Sequence, residues 1–198
     1  MVMQSIYNFI VSPYAKRTTS EKEVNGVTLL LNTELQNHLY TSRHGVVQAV
    51  PKVNDLGLLP GDEIIVHHNV FRRFRDIRGV EKNSRSYYEE DKFFVYPDQI
   101  YAYKRNGEWK PIEGFIFVKP MLEDRMFSEH NERPLIGKVK YAYGNYEAEE
   151  LVGFTPGTEY EFNIEGEKVY RVPANRITIK YGYQESKEEY NPSWSQSS

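Results

Sequence analysis

The side chains best suited to chemistry in this 198-residue chain fall in one run, Phe71-Arg72-Arg73-Phe74-Arg75-Asp76-Ile77-Arg78, which interleaves four arginines with two phenylalanines. Guanidinium groups grip phosphates and carboxylates, and aromatic faces stack on flat rings, so such a run suits nucleic acid or the hot spot of a protein interface. Glu89-Glu90-Asp91 follow closely, and the chain has a formal net charge of −3. Both weigh against a long polyanion. Phe71, Arg72, Arg73 and Phe74 are therefore expected to contact another subunit or a protein partner, and nucleic acid is the weaker expectation.

Other reactive residue types show no catalytic or metal-binding spacing. The chain has no cysteine, which removes disulfides, thiolate metal sites and thiol nucleophiles together. His67-His68 closes an apolar run, and adjacent residues of a regular strand point to opposite faces, so the pair is not expected to chelate one metal. His38, His44 and His130 have no carboxylate at a recognised ligand spacing. Glu89-Glu90 and Glu149-Glu150 lie in charged, solvated stretches, and no nucleophile elbow, phosphate loop or dinucleotide fingerprint occurs. No cofactor is expected, and the chain reads as a binding or assembly protein, not an enzyme.

The elements that must carry these residues read as β structure. Sixteen Tyr, ten Phe and two Trp supply most of the large apolar side chains, and aromatics favour pleated, half-buried surfaces. Polar and apolar residues alternate over Glu159–Ile164 and Arg176–Tyr181, the signature of strands with one face on a core. Glu165-Gly166 sits where a tight hairpin turn should be, with Lys168–Val172 returning. Comparable runs occur at 7–11, 27–31, 45–50, 63–66, 93–96 and 100–103. A single short helix is expected over Thr33–Leu39, where Thr33 and Gln36 have capping-box spacing. The longest apolar runs, such as Ile64-Ile65-Val66, fall far short of the about 18 residues of a membrane span, and no secretory signal is visible at the N-terminus. A cytoplasmic protein is the expectation.

Laid over each other, the two halves repeat. Phe9–Pro13 matches Ile116–Pro120, Gly45–Gln48 matches Gly137–Lys140, Pro60–Glu63 matches Pro156–Glu159, and Val95–Ala102 matches Val172–Ile179. Order preserved over four blocks points to tandem duplication, with a join near Gly107 to Gly114. The expected organisation is one unit over 1–110, a second over 111–183, and a flexible polar tail over 184–198.

In the first copy a strand ending at Pro13 is followed by a polar segment and then by Asn25-Gly26-Val27-Thr28-Leu29. Gly45-Val46-Val47-Gln48-Ala49-Val50, Pro60-Gly61-Asp62-Glu63 and Asp98-Gln99-Ile100-Tyr101-Ala102 come next. This order resembles GroES-type co-chaperonins, the lids of chaperonin folding chambers, over residues 6–103 and more weakly over 115–181. The resemblance implies an all-β chain with two tandem GroES-like small β-barrel domains. It also implies a homo-oligomeric ring, commonly sevenfold, that binds the apical domain of a GroEL-like chaperonin. Gly26 would be the second glycine of the family's mobile loop, and Val27, Thr28 and Leu29 its apolar tripeptide. Asn25 replaces the first glycine, and the Thr28 hydroxyl weakens an apolar contact. Divergent lids of this kind occur in phages, so the host cytoplasm or a virion is the expected setting.

Two readings stay open for that loop. Asn-Gly is also the preferred dipeptide of a two-residue hairpin turn, so 24–27 reads equally as a β-hairpin. A polar loop that orders on binding gives a moderate, releasable contact, and repetition around a ring restores avidity. The second copy has Glu123–His130 in place of the loop, Pro51–Leu59 is shorter than the family's roof hairpin, and Phe71–Glu90 is an extra segment. These departures motivate the alternative of a phage or other structural assembly protein that keeps the barrel as an oligomerisation module.

Overall fold

Alternation becomes burial where the strands meet the core. Phe162 and Ile164 are buried while Glu161 and Asn163, which alternate with them, are exposed, and Glu165-Gly166 makes the turn with both residues at positive φ. The computed structural model describes residues 5–15, 21–24, 27–30, 42–122 and 132–181. Those residues form antiparallel sheets and short turns, and the chain divides into two units, Met1–Glu113 and Gly114–Ser198. The expected helix at 33–39, the segment 123–130 and the tail at 184–198 lie outside the described residues.

Unit 1 contains β1 (Phe9–Pro13), β2 (Glu21–Val24), β3 (Val27–Leu30), β4 (His44–Ala49), β5 (Glu63–Val66), β6 (Arg73–Arg75), β7 (Glu81–Asn83), β8 (Tyr87–Glu89), β9 (Lys92–Val95), β10 (Ile100–Arg105) and β11 (Glu108–Pro111). Seven of them form one sheet in the order β11-β10-β5-β4-β1-β9-β8, while β2–β3 and β6–β7 are separate two-stranded ribbons. The core is built from Phe9, Val11, Val47, Ile64, Val66, Phe71, Phe93, Val95 and Ile100. Each fully buried side chain of this size contributes about 1.5–3 kcal/mol. Gly107 lies in the β10–β11 hairpin, where Arg105 pairs with Glu108, so β11 and its buried Trp109 belong to unit 1.

Unit 2 contains β12 (Phe115–Leu122), β13 (Glu132–Tyr141), β14 (Leu151–Phe154), β15 (Tyr160–Ile164), β16 (Glu167–Pro173) and β17 (Ile177–Lys180), ordered β15-β16-β12-β13-β14-β17. This is the order β8-β9-β1-β4-β5-β10 of unit 1 with β11 removed. None of the four sheets closes on itself. Ile116, Val118, Val139, Val152, Phe154 and Val172 make the core.

The registers of the two units agree pair by pair. Val11 faces Val47 and Pro13 faces Gly45, just as Val118 faces Val139 and Pro120 faces Gly137. A register shift falls between Ile10 and Val11 in one and between Phe117 and Val118 in the other. A short 3-10 turn precedes the last matched strand in both, Pro97–Gln99 and Ala174–Arg176.

One block of the expected repeat is corrected. Gly61 and Glu149 donate the matching bonds, to Val47 O and Val139 O at 2.8 and 2.7 Å, so Pro60-Gly61 corresponds to Ala148-Glu149 and not to Pro156-Gly157. Pro156-Gly157 lies after β14. Unit 2 makes the same turn with Glu149 at φ 66 where unit 1 has Gly61 at φ 94. A left-handed residue is needed in both, and only unit 1 uses the residue type that announces it.

Candidate functional site

The segment carrying Gly26, Val27, Thr28 and Leu29 leaves and re-enters the main sheet at one point. β1 and β4 are paired neighbours, with Pro13 opposite Gly45, and Tyr14 N–H donates to His44 O at 3.0 Å. The chain thus leaves the main sheet after Tyr14 and rejoins it at His44, and this excursion has its two ends zipped together. Its root is fixed by rings. Tyr14 stacks on His44 with centroids 4.0 Å apart and planes 10° from parallel, and Trp109 lies 5.4 Å from the same imidazole. The Glu63 carboxylate holds the His44 Nε2 at 2.9 Å. Within the excursion β2 and β3 pair with Val24 opposite Val27, Glu23 opposite Thr28 and Lys22 opposite Leu29. Val27, Thr28 and Leu29 therefore stand on a strand of a two-stranded ribbon, while Asn25 and Gly26 lie outside the described residues.

Close approach explains the glycine at this root. A Cβ on Gly45 would stand 2.6 Å from Val11 Cγ1, 3.0 Å from Phe71 Cζ and 3.0 Å from Ser12 O. In unit 2 a Cβ on Gly137 would meet Lys119 O at 2.7 Å. Next to the root, Asp62 is 6 % exposed and accepts from Leu59 N–H at 2.8 Å and from both the Nε and Nη2 of Arg105. Burial works against its charge, but the Arg105 bonds and the Leu59 N–H outweigh that and hold its pKa below the ordinary value.

The arginine-rich run divides between core and surface. Phe71 is fully buried, packed edge-on against Phe93 at 5.0 Å, so it is a core residue and offers no surface to a partner. Arg73 pairs with Glu81 across the β6–β7 ribbon at 2.9 Å. Asp76 ties off the ribbon's turn by accepting from Arg78 and Val80 N–H, and Ile77 at the tip is fully exposed. Arg72 and Phe74 instead line a cavity of about 580 Å³ with Arg85, Phe94, Tyr96 and Asn8. Asn8, Phe94 and Tyr96 carry no motif and lie far from the basic run in sequence. Only the pairing of β1 with β9 brings them together.

His67 and His68 also differ from expectation. β5 ends at Val66 and a turn follows, closed by Val70 N–H on His67 O. The two rings lie side by side, centroids 4.1 Å apart, instead of on opposite faces. Among the described residues no group of three His, Asp or Glu side chains is placed to hold a metal.

In unit 2 Glu132 accepts from Tyr170 Oη at 2.6 Å and pairs with Lys168 at 2.8 Å. Burial opposes the Glu132 charge, yet the Lys168 and Tyr170 bonds outweigh it and keep the pKa low, while Glu132 and then Tyr170 push Lys168 up. Both ions stay charged through neutral pH, which ties β13 to β16.

No known protein family matches this sequence, and no characterised protein matches it either. Among the described residues no helix is long and apolar enough to cross a membrane.

Proposed function

We propose that the chain is a co-chaperonin-like lid, a ring of subunits with two GroES-like barrels each, that caps a chaperonin chamber through Gly26, Val27, Thr28 and Leu29. The observation that carries this reading is the zipped excursion. A ribbon that pairs with no strand of the main sheet among the described residues, mounted on a braced root, is built to reach another molecule. The ordered motifs that resemble the family fall on β1, β3, β4, the turn into β5, and β10, and their order along the chain supports the reading. Two units with one strand order would let each chain supply two barrels to the ring.

Amide exchange tests this directly at the ribbon. Adding a chaperonin double ring with nucleotide is expected to slow exchange at Val27–Leu30 and leave β4 and β5 unchanged. Identical exchange in the ribbon with and without chaperonin would count against the lid.

The assembly-protein reading draws on a different feature, the β6–β7 ribbon, which holds the apolar Ile77 fully out in solvent. Val80, in the same turn, is half exposed as well, and an apolar ribbon tip of this kind suits a fixed subunit contact. If that reading holds, Ile77→Asp shifts the oligomer to smaller species, whereas a lid keeps its ring.

A further inference from the structure

We infer that the cavity of unit 1 bounded by Arg72, Arg85 and Phe74 is a binding site for a small phosphate ester carrying a flat ring, of the nucleoside monophosphate class. Its volume of about 580 Å³ lies within the range of small-ligand and cofactor sites. Two guanidinium groups line it and no carboxylate does, in a chain whose net charge is negative. Arg85 makes no ion pair or hydrogen bond among the described residues, although Glu89, Glu90 and Asp91 lie only a few residues away in sequence. A cation kept clear of such acids is available to a ligand anion, and paired guanidinium groups favour the doubly charged phosphate.

The remaining walls specify the rest of the ligand. Phe74, Phe94 and Tyr96 line the cavity, Phe74 37 % and Tyr96 57 % exposed, and Phe94 is packed against Tyr88 at 4.7 Å. These are stacking surfaces for a planar heterocycle. The Asn8 side-chain oxygen is buried and lacks a hydrogen-bond partner among the described residues. Such an acceptor calls for a donor, which an exocyclic amine or a sugar hydroxyl supplies. The Gln99 side-chain oxygen is already held by Tyr96 N–H at 3.1 Å, which leaves its amide donors for the cavity. The chain's formal net charge of −3 disfavours a long polyanion, so a single nucleotide is assigned and not a nucleic-acid strand. This inference rests on unit 1 alone and is independent of chaperonin binding.

Calorimetric titration of the full chain with adenosine monophosphate, adenosine, inorganic phosphate and a short oligothymidylate tests it. Saturable binding of the monophosphate is expected, with adenosine and phosphate each weaker by about tenfold or more. Arg85→Ala and Phe74→Ala should each weaken the monophosphate by roughly tenfold. Arg78→Ala removes the same charge from the ribbon tip and should change nothing. Thermal melts of the variants report folding, and Arg85 makes no bond whose loss would lower them. Absence of saturable monophosphate binding overturns the site, as does full binding by both Arg85→Ala and Phe74→Ala. Binding of the oligothymidylate with the monophosphate silent overturns the ligand class.

Discussion

Gly137→Ala is expected to destabilise the chain by about 1–3 kcal/mol, the cost of forcing an extra methyl into a packed site. The new Cβ would stand 2.7 Å from Lys119 O and 3.1 Å from Val118 Cβ. Neither neighbour can yield, because Lys119 and Val118 are held in register on β12 against β13. For a unit of this size the loss corresponds to roughly 5–20 °C in the melting midpoint. Gly153→Ala is the matched comparison. It is also a buried glycine in the same sheet, but its nearest neighbour is Ile179 Cβ at 3.4 Å, an ordinary contact. Melting both variants by circular dichroism should show a large drop for the first and little change for the second. Equal midpoints would show that the strands slide apart freely and that register does not hold Gly137. Gly45 is the equivalent position in unit 1, where a new Cβ would stand 2.6 Å from Cγ1 of the fully buried, β-branched Val11 and 3.0 Å from Ser12 O, so Gly45→Ala should also be costly.

Asp62→Asn carries the second large effect. The carboxylate is almost wholly buried and accepts three hydrogen bonds, two of them from Arg105. A hydrogen bond to a charged group contributes about 1.5–3 kcal/mol, and the solvent reaching Arg105 keeps the expected loss at about 2–3 kcal/mol in total. The sign of the pH dependence follows from the lowered pKa. Above the unfolded-state value, about 3.9, the folded form alone gains from the ionised carboxylate. That gain is lost as pH falls through the still lower folded value. Urea midpoints of the two proteins should thus differ most near neutral pH and converge toward pH 2. A difference that stays constant from neutral to acid would mean the charge on Asp62 does no work. Unit 2 has a related pair at 2.8 Å, Glu150 just before β14 with Lys180 on β17. Tyr181 N–H, bonded to Leu151 O, continues that seam.

Much of the sheet was legible because one face of each strand meets a core. Period-two patterns located β15, and alternation with a Glu165-Gly166 turn located its partner β16. β6, β7 and β8 are three residues each and almost entirely exposed, so burial imposes no pattern on them. β11 was hidden for another reason: its turn is Asn106-Gly107, and Gly107 reads as linker punctuation when the buried Trp109 beyond it is not visible. β17 shows alternation failing at an edge. Ile179 lies opposite Gly153, which has no side chain to cover it, and is 49 % exposed. Pro156-Gly157 misled the repeat because turn chemistry recurs wherever a chain reverses, whereas the true counterpart turn carries Glu149.

The candidate sites divide in the same way. Arg72 and Phe74 stood out by composition, and the loop residues Gly26 to Leu29 by their place in an ordered series. Asn8, Phe94 and Tyr96 gave no signal, since strand pairing alone unites them. His44 had no carboxylate near it in sequence, yet the antiparallel pairing of β4 with β5 puts it next to Glu63.

The most direct test of the lid is native mass measurement and co-precipitation with a chaperonin double ring in the presence of nucleotide. The wild-type chain should be compared with a Val27→Asp, Leu29→Asp double variant. On the proposed reading a ring would multiply each weak contact, so removing the apolar contact from every subunit should reduce binding on the order of a hundredfold or more. The account predicts nucleotide-dependent capture of the wild-type chain, and loss of capture by a variant that keeps the same oligomer mass and melting midpoint. A well-folded wild-type oligomer that ignores the chaperonin, or a double variant that binds as well as the parent, would contradict it.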